Sequence, residues 1–446
     1  MTQLSSATNL AVLGGTPCFP EYLHVGRPNI GKHERFMERV RSLLESRWLS
    51  NQGPFVQEFE QRLAGFLGVR HCIAMCNGTV ALEIATRALN LKGEVIVPSF
   101  TFIATAHCLQ WQEITPVFGD IDPQTHNLDP DRVEAMITPK TTGIMGVHLW
   151  GRPCNIERLE DLASRRNLRL LFDASHALGV THGGRMIGQF GDCEVFSFHA
   201  TKFMNTFEGG AVVTNNDELA RKIRLMKNFG FAGYDNVIYI GTNGKMSEVA
   251  AAMGLTNLES LDQFVASNRR NHNLYRQGLA GLPGIILVAF ESSERNNFQY
   301  VVLEVNEAEA GLSRDELLKV LHAERVLARR YFWPGCHRME PYRSHFPHAS
   351  LLLPHTEEVA RRVLVLPTGT AIGPEEIEGI CEIIRTGLAQ AFAVRMALST
   401  DKRDIAVPIQ LSSAARTTPG LKPNPAGFAS RHQEAHRLGA ASKKPG

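Results

Sequence analysis

Two residues near the middle of the chain are of types, and in settings, that can do chemistry. Asp173 ends the run LRLLFD, so its carboxylate closes a stretch of apolar side chains. A buried carboxylate must have a partner. A pyridinium nitrogen is one candidate; the carboxylate then keeps the ring nitrogen protonated and the ring can take up electrons. A structural aspartate capping a turn is the alternative. Lys202 follows the run EVFSF within SFHATKFMNTFEGGAVVT (197–214). A lysine at the end of a buried strand is poorly solvated, which lowers its pKa and makes its amine a better nucleophile toward a carbonyl. A surface lysine in a loop is the alternative. His176 lies three residues beyond Asp173 and either rests against a ring or simply packs. A third feature, Asn77-Gly78-Thr79, opens a helical pattern. Free N–H groups and the helix dipole favour a phosphate there, and the Thr79 hydroxyl adds a donor. Small-residue turns before helices are common, so this motif gains weight only beside the other two.

These residues need elements to hold them. Short apolar runs at 71–75, 94–98, 116–121, 143–149, 168–173, 194–198 and 210–214 alternate with helical patterns such as 79–90 and 155–167. The runs are continuously apolar rather than alternating, as strands covered on both faces should be. Thr79 and Asn155 are the expected N-caps of those two helices. The pattern predicts an α/β fold, a mostly parallel seven-stranded sheet sandwiched by helices. Residues 246–281 read as one long helical stretch ended by Pro283-Gly284. Two extended runs within 285–305 and helices at 313–323 and 374–392 then predict a smaller α+β domain. Residues 399–446 have no apolar period and read as a disordered basic tail. The expected division is an N-terminal segment at 1–50, a large domain at 51–270, a small domain at 271–398 and the tail.

Composition narrows the function classes. The chain has 446 residues, 43% hydrophobic and 21% charged, which excludes wholesale disorder. Its formal net charge is +2, and that sum hides an asymmetry: residues 399–446 carry +5, leaving −3 on the rest. A mildly acidic body argues against a protein that coats nucleic acid or an anionic membrane. The eight cysteines are scattered without a CxxC pair, so a metal site or a disulfide framework is disfavoured and buried free thiols are expected. No run of about 18 apolar residues occurs, and the N-terminus lacks a basic n-region followed by a long apolar stretch. A cytoplasmic protein without membrane partners is the expectation.

A phosphate cradle, a pyridinium partner and a Schiff-base lysine follow one another here in the chain order of fold-type I pyridoxal phosphate enzymes. From about residue 24 to 390 the sequence resembles the DegT/DnrJ/StrS sugar aminotransferases. The resemblance rests on WLSNQGP (48–54), PSFTFIATA (98–106), VHLWGRPC (147–154), FDASHALG (172–179), the Lys202 segment, NFGF (228–231) and GTNGKMSEVAAAMGL (241–255). The segment RRYFWPGCHRMEPYR (329–343) is similar to that of deoxysugar 4-aminotransferases of the desosamine type.

The resemblance implies a residue-by-residue assignment. Lys202 would form the Schiff base with pyridoxal 5'-phosphate and act as general base. Asp173 would pair with the pyridine nitrogen, His176 would meet the ring or its oxygen, and Phe102 would stack on it. Gly78, Thr79 and Ser197 match phosphate-binding positions. Asn243 matches an asparagine that reaches the phosphate from the neighbouring subunit, so a homodimer with shared sites is implied. Lys245 would meet an anionic group of substrate, and Arg329, Arg330, Tyr331 and His337 would line the substrate mouth; solvated Arg329 and Arg330 are the alternative. The implied reaction moves an amino group from L-glutamate to a nucleotide-linked 4-keto-6-deoxyhexose. A 3-keto-sugar aminotransferase, a sugar dehydratase and a non-catalytic cofactor-binding regulator are the competing readings. The dehydratases carry histidine in place of the lysine. One departure from pattern is Phe207, where many relatives carry glycine.

Overall fold

The seven apolar runs assemble into one sheet. The computed structural model describes residues 9–400. Its strands are β1 His71–Met75, β2 Glu94–Pro98, β3 Thr115–Gly119, β4 Thr141–Val147, β5 Arg169–Asp173, β6 Cys193–Ser197 and β7 Gly210–Thr214. Their order across the sheet is β1-β7-β6-β5-β4-β2-β3. Strand β7 runs antiparallel to β1 and β6, and the other pairings are parallel. Successive side chains point to opposite faces. Cys72, Ala74, Ile144 and Phe172 enter one core, while Ile73, Met75, Met145 and Leu171 enter another. Both faces are covered, which is why the strands read as unbroken apolar runs.

Helices supply those covers. Preceded by α1 (His33–Ser46), helix α2 (Pro54–Leu67) places Val56, Phe59, Leu63 and Leu67 in the first core. Helix α3 (Gly78–Ala88) gives Ala81, Leu82 and Ala85 to the second, α4 (Ile156–Arg166) covers the first, and α5 (Asp217–Met226) covers the second. Asn155 caps α4 as expected, accepting the Arg158 N–H. The expected Thr79 cap of α3 is corrected. Asn77, in extended backbone, is the N-cap and its side chain accepts the Val80 N–H at 2.8 Å, which leaves Thr79 inside the first turn.

The stretch 246–281 is two helices rather than one, α6 (Glu248–Leu258) and α7 (Leu261–Gly278). No glycine or proline marks the break. At it the Glu259 carboxylate is gripped by Arg39 at 2.5 Å and Arg62 at 3.0 Å, so the turn is set by tertiary charge pairing that no local pattern reveals. Beyond α7 a three-stranded antiparallel sheet forms from β8 (Ile285–Leu287), β9 (Val301–Val305) and β10 (Val363–Leu366). It shares a third core with α7, α8 (Arg314–Ala323) and α9 (Pro374–Ala389). The expected helix at 374–392 ends at Ala389, and α10 (Ala391–Thr400) follows, covering the first two residues of the expected tail. The rest of that tail lies outside the described residues. No helix among the described residues is long and apolar enough to cross a membrane.

Candidate active site

In a parallel sheet the strand ends share one edge, and ligands bind in the crevice outside the carboxyl ends. Register brings the predicted residues to that edge. Asp173 at the end of β5 lies opposite Val147 and Val195, and Gly210 lies opposite both Ser197 and Met75. Asp173, Ser197 and the Asn77–Thr79 turn therefore converge at one end of the sheet.

Asp173 is 5% exposed and well partnered. Its Oδ2 accepts the Thr105 hydroxyl at 3.0 Å and its Oδ1 accepts the Ser175 N–H at 3.1 Å. The side chain of Lys202 is part-buried in the loop after β6. Desolvation lowers its amine to about 8, against an opposing pull from the charge of Asp173. His176 is buried, and desolvation, with the charge of Lys202 adding to it, pushes its ring well below the usual histidine range. Its Nδ1 accepts the Trp150 N–H at 3.3 Å, so the ring proton sits on Nε2.

The phosphate-type cradle depends on close backbone approach. A Cβ on Gly78 would stand 2.9 Å from the Ser197 Cβ, and one on Gly210 would stand 2.7 Å from the Asn77 carbonyl. Both positions therefore need glycine. The first turn of α3, with Thr79 exposed on it, faces out from this contact. Phe102 is 58% exposed, an apolar face left open beside a buried site. A phosphorylated pyridine aldehyde fits this set: an amine lifted out of full hydration, a hydrogen-bonded carboxylate, a neutral imidazole, an open aromatic face and a glycine-lined helix start.

The remaining predicted residues are placed less uniformly. The Asn243 side chain is exposed at the edge of β1, where Gly244 O accepts the Cys76 N–H at 2.8 Å. Lys245 Nζ donates to Asn228 Oδ1 at 3.1 Å and lies 4.7 Å from the Phe229 ring centre. Tyr331 stacks on Phe332 and meets Tyr300 edge-on, and Tyr300 lies 4.6 Å from His176 between ring centres. This chain of rings leads outward from the cofactor-type pocket to Arg329, whose guanidinium lies over Tyr331. Arg330 is instead paired with Asp315 at 3.0 Å. His337 is buried, with Nδ1 at 2.6 Å from Ser99 Oγ and Nε2 at 2.7 Å from Glu357. Both ring nitrogens are engaged, so its ring ties the segment 329–343 to Ser99, the residue after β2. Phe207 has φ 65°, the left-handed backbone that glycine adopts freely, and packs edge-on against Phe36. Thr105, Trp150 and Tyr300 were not singled out by sequence reasoning. Thr105 and Trp150 lie inside quoted motifs, PSFTFIATA and VHLWGRPC, but no spacing rule marks them.

A lysine amine of lowered pKa beside a fixed carboxylate, at the carboxyl edge of a parallel sheet, defines a site for amine–carbonyl exchange. A family model described as the DegT/DnrJ/EryC1/StrS aminotransferase family matches residues 31–385, and the chain belongs to that family. Among similar proteins, a dTDP-4-amino-4,6-dideoxy-D-glucose transaminase of Shigella dysenteriae is 40% identical over 363 residues, covering 81% of this chain and 98% of that one. A GDP-perosamine synthase of Caulobacter vibrioides is 38% identical over 327 residues, covering 72% and 86%. A crystal structure of DesI in the presence of its TDP-sugar product is 51% identical with a TM-score of 0.84, covering 88% of this chain and all of that one. The chain shares its fold with the DesI structure.

Proposed function

We propose that the protein is a pyridoxal phosphate-dependent aminotransferase. It moves the amino group of L-glutamate to the keto carbon of a nucleotide-linked 4-keto-6-deoxyhexose. The observation that carries this reading is the proximity of Lys202 to both Asp173 and His176 at the carboxyl edge of the sheet, with the Lys202 amine lowered to about 8. The relatives acting on 4-amino-4,6-dideoxyglucose and carrying a TDP-sugar support the substrate class. The cofactor, when bound, supplies an electron sink for the carbanion formed as the α-proton leaves.

The chain's own residues do the rest. Lys202 Nζ, neutral in a fraction of molecules near neutral pH, would accept the proton from the donor's α-carbon and would hold it for return to the carbon that the cofactor presents to the amine. Asp173, locked by Thr105 and Ser175, keeps a proton on the ring nitrogen. His176 offers Nε2–H to the ring oxygen, and Phe102 covers one face. Gly78, Thr79 and Ser197 hold the phosphate. Lys245 and Arg329 meet the negative groups of substrate, and Tyr331 lines the approach. The assignment of 51–270 to a large cofactor-binding domain and 271–398 to a small C-terminal domain belongs to the same reading, as does residence in the cytoplasm.

A homodimer with shared sites is part of it. Phe229, Phe231, Tyr234, Val237, Ile238 and Ile240 are exposed together, just before Asn243, and an apolar surface of this kind calls for a partner. Mixed, re-associated Asn243→Ala and Lys202→Ala subunits regain activity if the site is shared; confirmed mixed dimers without activity would overturn the sharing. The test of the main reading is turnover of glutamate with dTDP-4-keto-6-deoxyglucose and with a 3-keto isomer, products read by NMR. A 4-amino sugar is expected, and selective turnover of the 3-keto compound would replace the substrate assignment.

A further inference from the structure

Two bulky residues beside the pocket hold backbone conformations that their side chains disfavour. Trp150 has φ 61° and His126 has φ 63°, both in the left-handed region. Both are buried, and neither has glycine's freedom there. One hydrogen-bond chain ties them together. Trp150 Nε1–H donates to His126 Nδ1 at 3.1 Å. With Nδ1 accepting, the His126 proton is on Nε2, which lies 3.1 Å from Glu304 Oε1. Glu304 Oε2 in turn accepts from Arg362 at 2.8 Å. The tautomer of His126 is thus determined from both sides.

The near end of this chain is His176. The Trp150 backbone N–H, held in place by the left-handed turn, donates to His176 Nδ1. The Trp150 ring lies nearly parallel to His176 at an interplanar angle of 18°, and Phe332 is parallel to His176 within 10°. The far end is on β9, in the other sheet. The polar chain thus braces a pocket residue of one sheet against a strand of the second.

We propose that Trp150, His126 and Glu304 are positioning residues: their hydrogen-bonded strut sets the tautomer and ring plane of His176 and so orients its Nε2–H toward the cofactor. This rests on the aminotransferase reading. If the Trp150 side chain loses its acceptor, the left-handed turn relaxes and the N–H that fixes His176 Nδ1 moves away.

The test uses Trp150→Phe, which keeps the ring stacking and removes the donor, and His126→Phe, which keeps the packing on Phe100 and removes the acceptor. Two readouts are taken on the folded full chain. One is the affinity of cofactor-free protein for pyridoxal phosphate; the other is the 15N shifts of His176, which report its tautomer with or without cofactor. Each variant is expected to bind pyridoxal phosphate about tenfold more weakly, with a mixed His176 tautomer, and the double variant to be no worse than either single one. A merely structural role would lower the melting temperature and leave the tautomer unchanged. Wild-type tautomer and affinity in either variant overturn the strut. Failure of the wild type to bind pyridoxal phosphate would instead overturn the aminotransferase reading, and the 15N readout would still decide the strut.

Discussion

Lys202 and Lys227 both take their amines out of bulk water, and the contrast between them separates chemistry from architecture. Lys227 follows α5 and is 5% exposed. Its Nζ donates to Glu60 Oε1 and Gln52 Oε1, each at 2.9 Å, and to Ala74 O at 3.2 Å. Glu60 is just as fully engaged: it accepts the Ala74 N–H, Gln52 and Arg224 as well. Burial alone would raise the Glu60 carboxyl, and the two cations hold it below its ordinary value. Lys202 has no such cage. Asp173 opposes the lowering of its pKa, yet the carboxylate is beyond ion-pair distance and already bonded to Thr105 and Ser175. Desolvation lowers both amines; at Lys227 the charge and hydrogen bond of Glu60 oppose it, whereas the Lys202 amine falls to about 8 and part of it is unprotonated near neutral pH. A buried cation given every partner holds strands together; one denied them is poised to react.

The largest effect should be on turnover. Lys202→Met is expected to reduce transamination by about a thousandfold or more, since general-base and nucleophilic roles are lost together. Lys227→Met, normalised to folded protein, should keep activity within a few fold of wild type. Single-turnover rates with glutamate check this. Comparable losses in the two variants would erase the distinction.

The same substitutions should move stability in opposite directions. Removing Lys227 leaves a buried carboxylate short of a partner and costs about 3 kcal/mol. In cofactor-free protein Lys202→Met should instead stabilise at pH 7, by up to about 3 kcal/mol. The sign follows from linkage. Below pH 8 both folded and unfolded wild type carry the proton, and the folded state bears the cost of a poorly solvated ammonium. Between about 8 and 10.5 the unfolded chain binds more protons than the folded one, so wild-type stability rises with pH and the advantage of the variant fades. Denaturant titrations at pH 7 and pH 10 would reveal it. A destabilised Lys202→Met at pH 7 would mean that the amine is satisfied after all.

This contrast also marks what can be read from a sequence. All seven strands of the main sheet and the residues at their ends were legible, because strands covered on both faces leave long apolar runs and the polar residues that follow stand out. Asp173 and Lys202 are visible for that reason. What failed was set by contacts distant in the chain. The break at Glu259 comes from Arg39 and Arg62, and the small sheet's third strand, VLVL, is too short to stand out among helices. Thr79 and Asn77 are both good capping types; only the extended backbone of Asn77 decides between them. For His337, expected to line the substrate mouth, no local pattern shows that Ser99 and Glu357 engage both ring nitrogens. Whether a polar residue is already satisfied is a three-dimensional fact, and it is the one that matters most at a site.

The paired-versus-unpaired rule can be sharpened on two adjacent arginines. Arg330 is committed to Asp315 and lies over Trp333, whereas Arg329 has no acidic partner among the described residues and lies over Tyr331. If unpaired cations mark substrate contacts here, Arg329→Ala should raise KM for the nucleotide sugar about tenfold with kcat nearly unchanged, the signature of lost uniform binding. KM for glutamate should not move, which separates a nucleotide contact from a general electrostatic one. Arg330→Ala removes an exposed ion pair of little value, so stability should change by less than about 1 kcal/mol and both KM values should stay put. Equal KM effects from the two arginines would show that net charge at the mouth matters and pairing does not. In that case pairing separates reactive from structural cations in the interior, where desolvation gives it force, and not at the surface, where water supplies the missing partner.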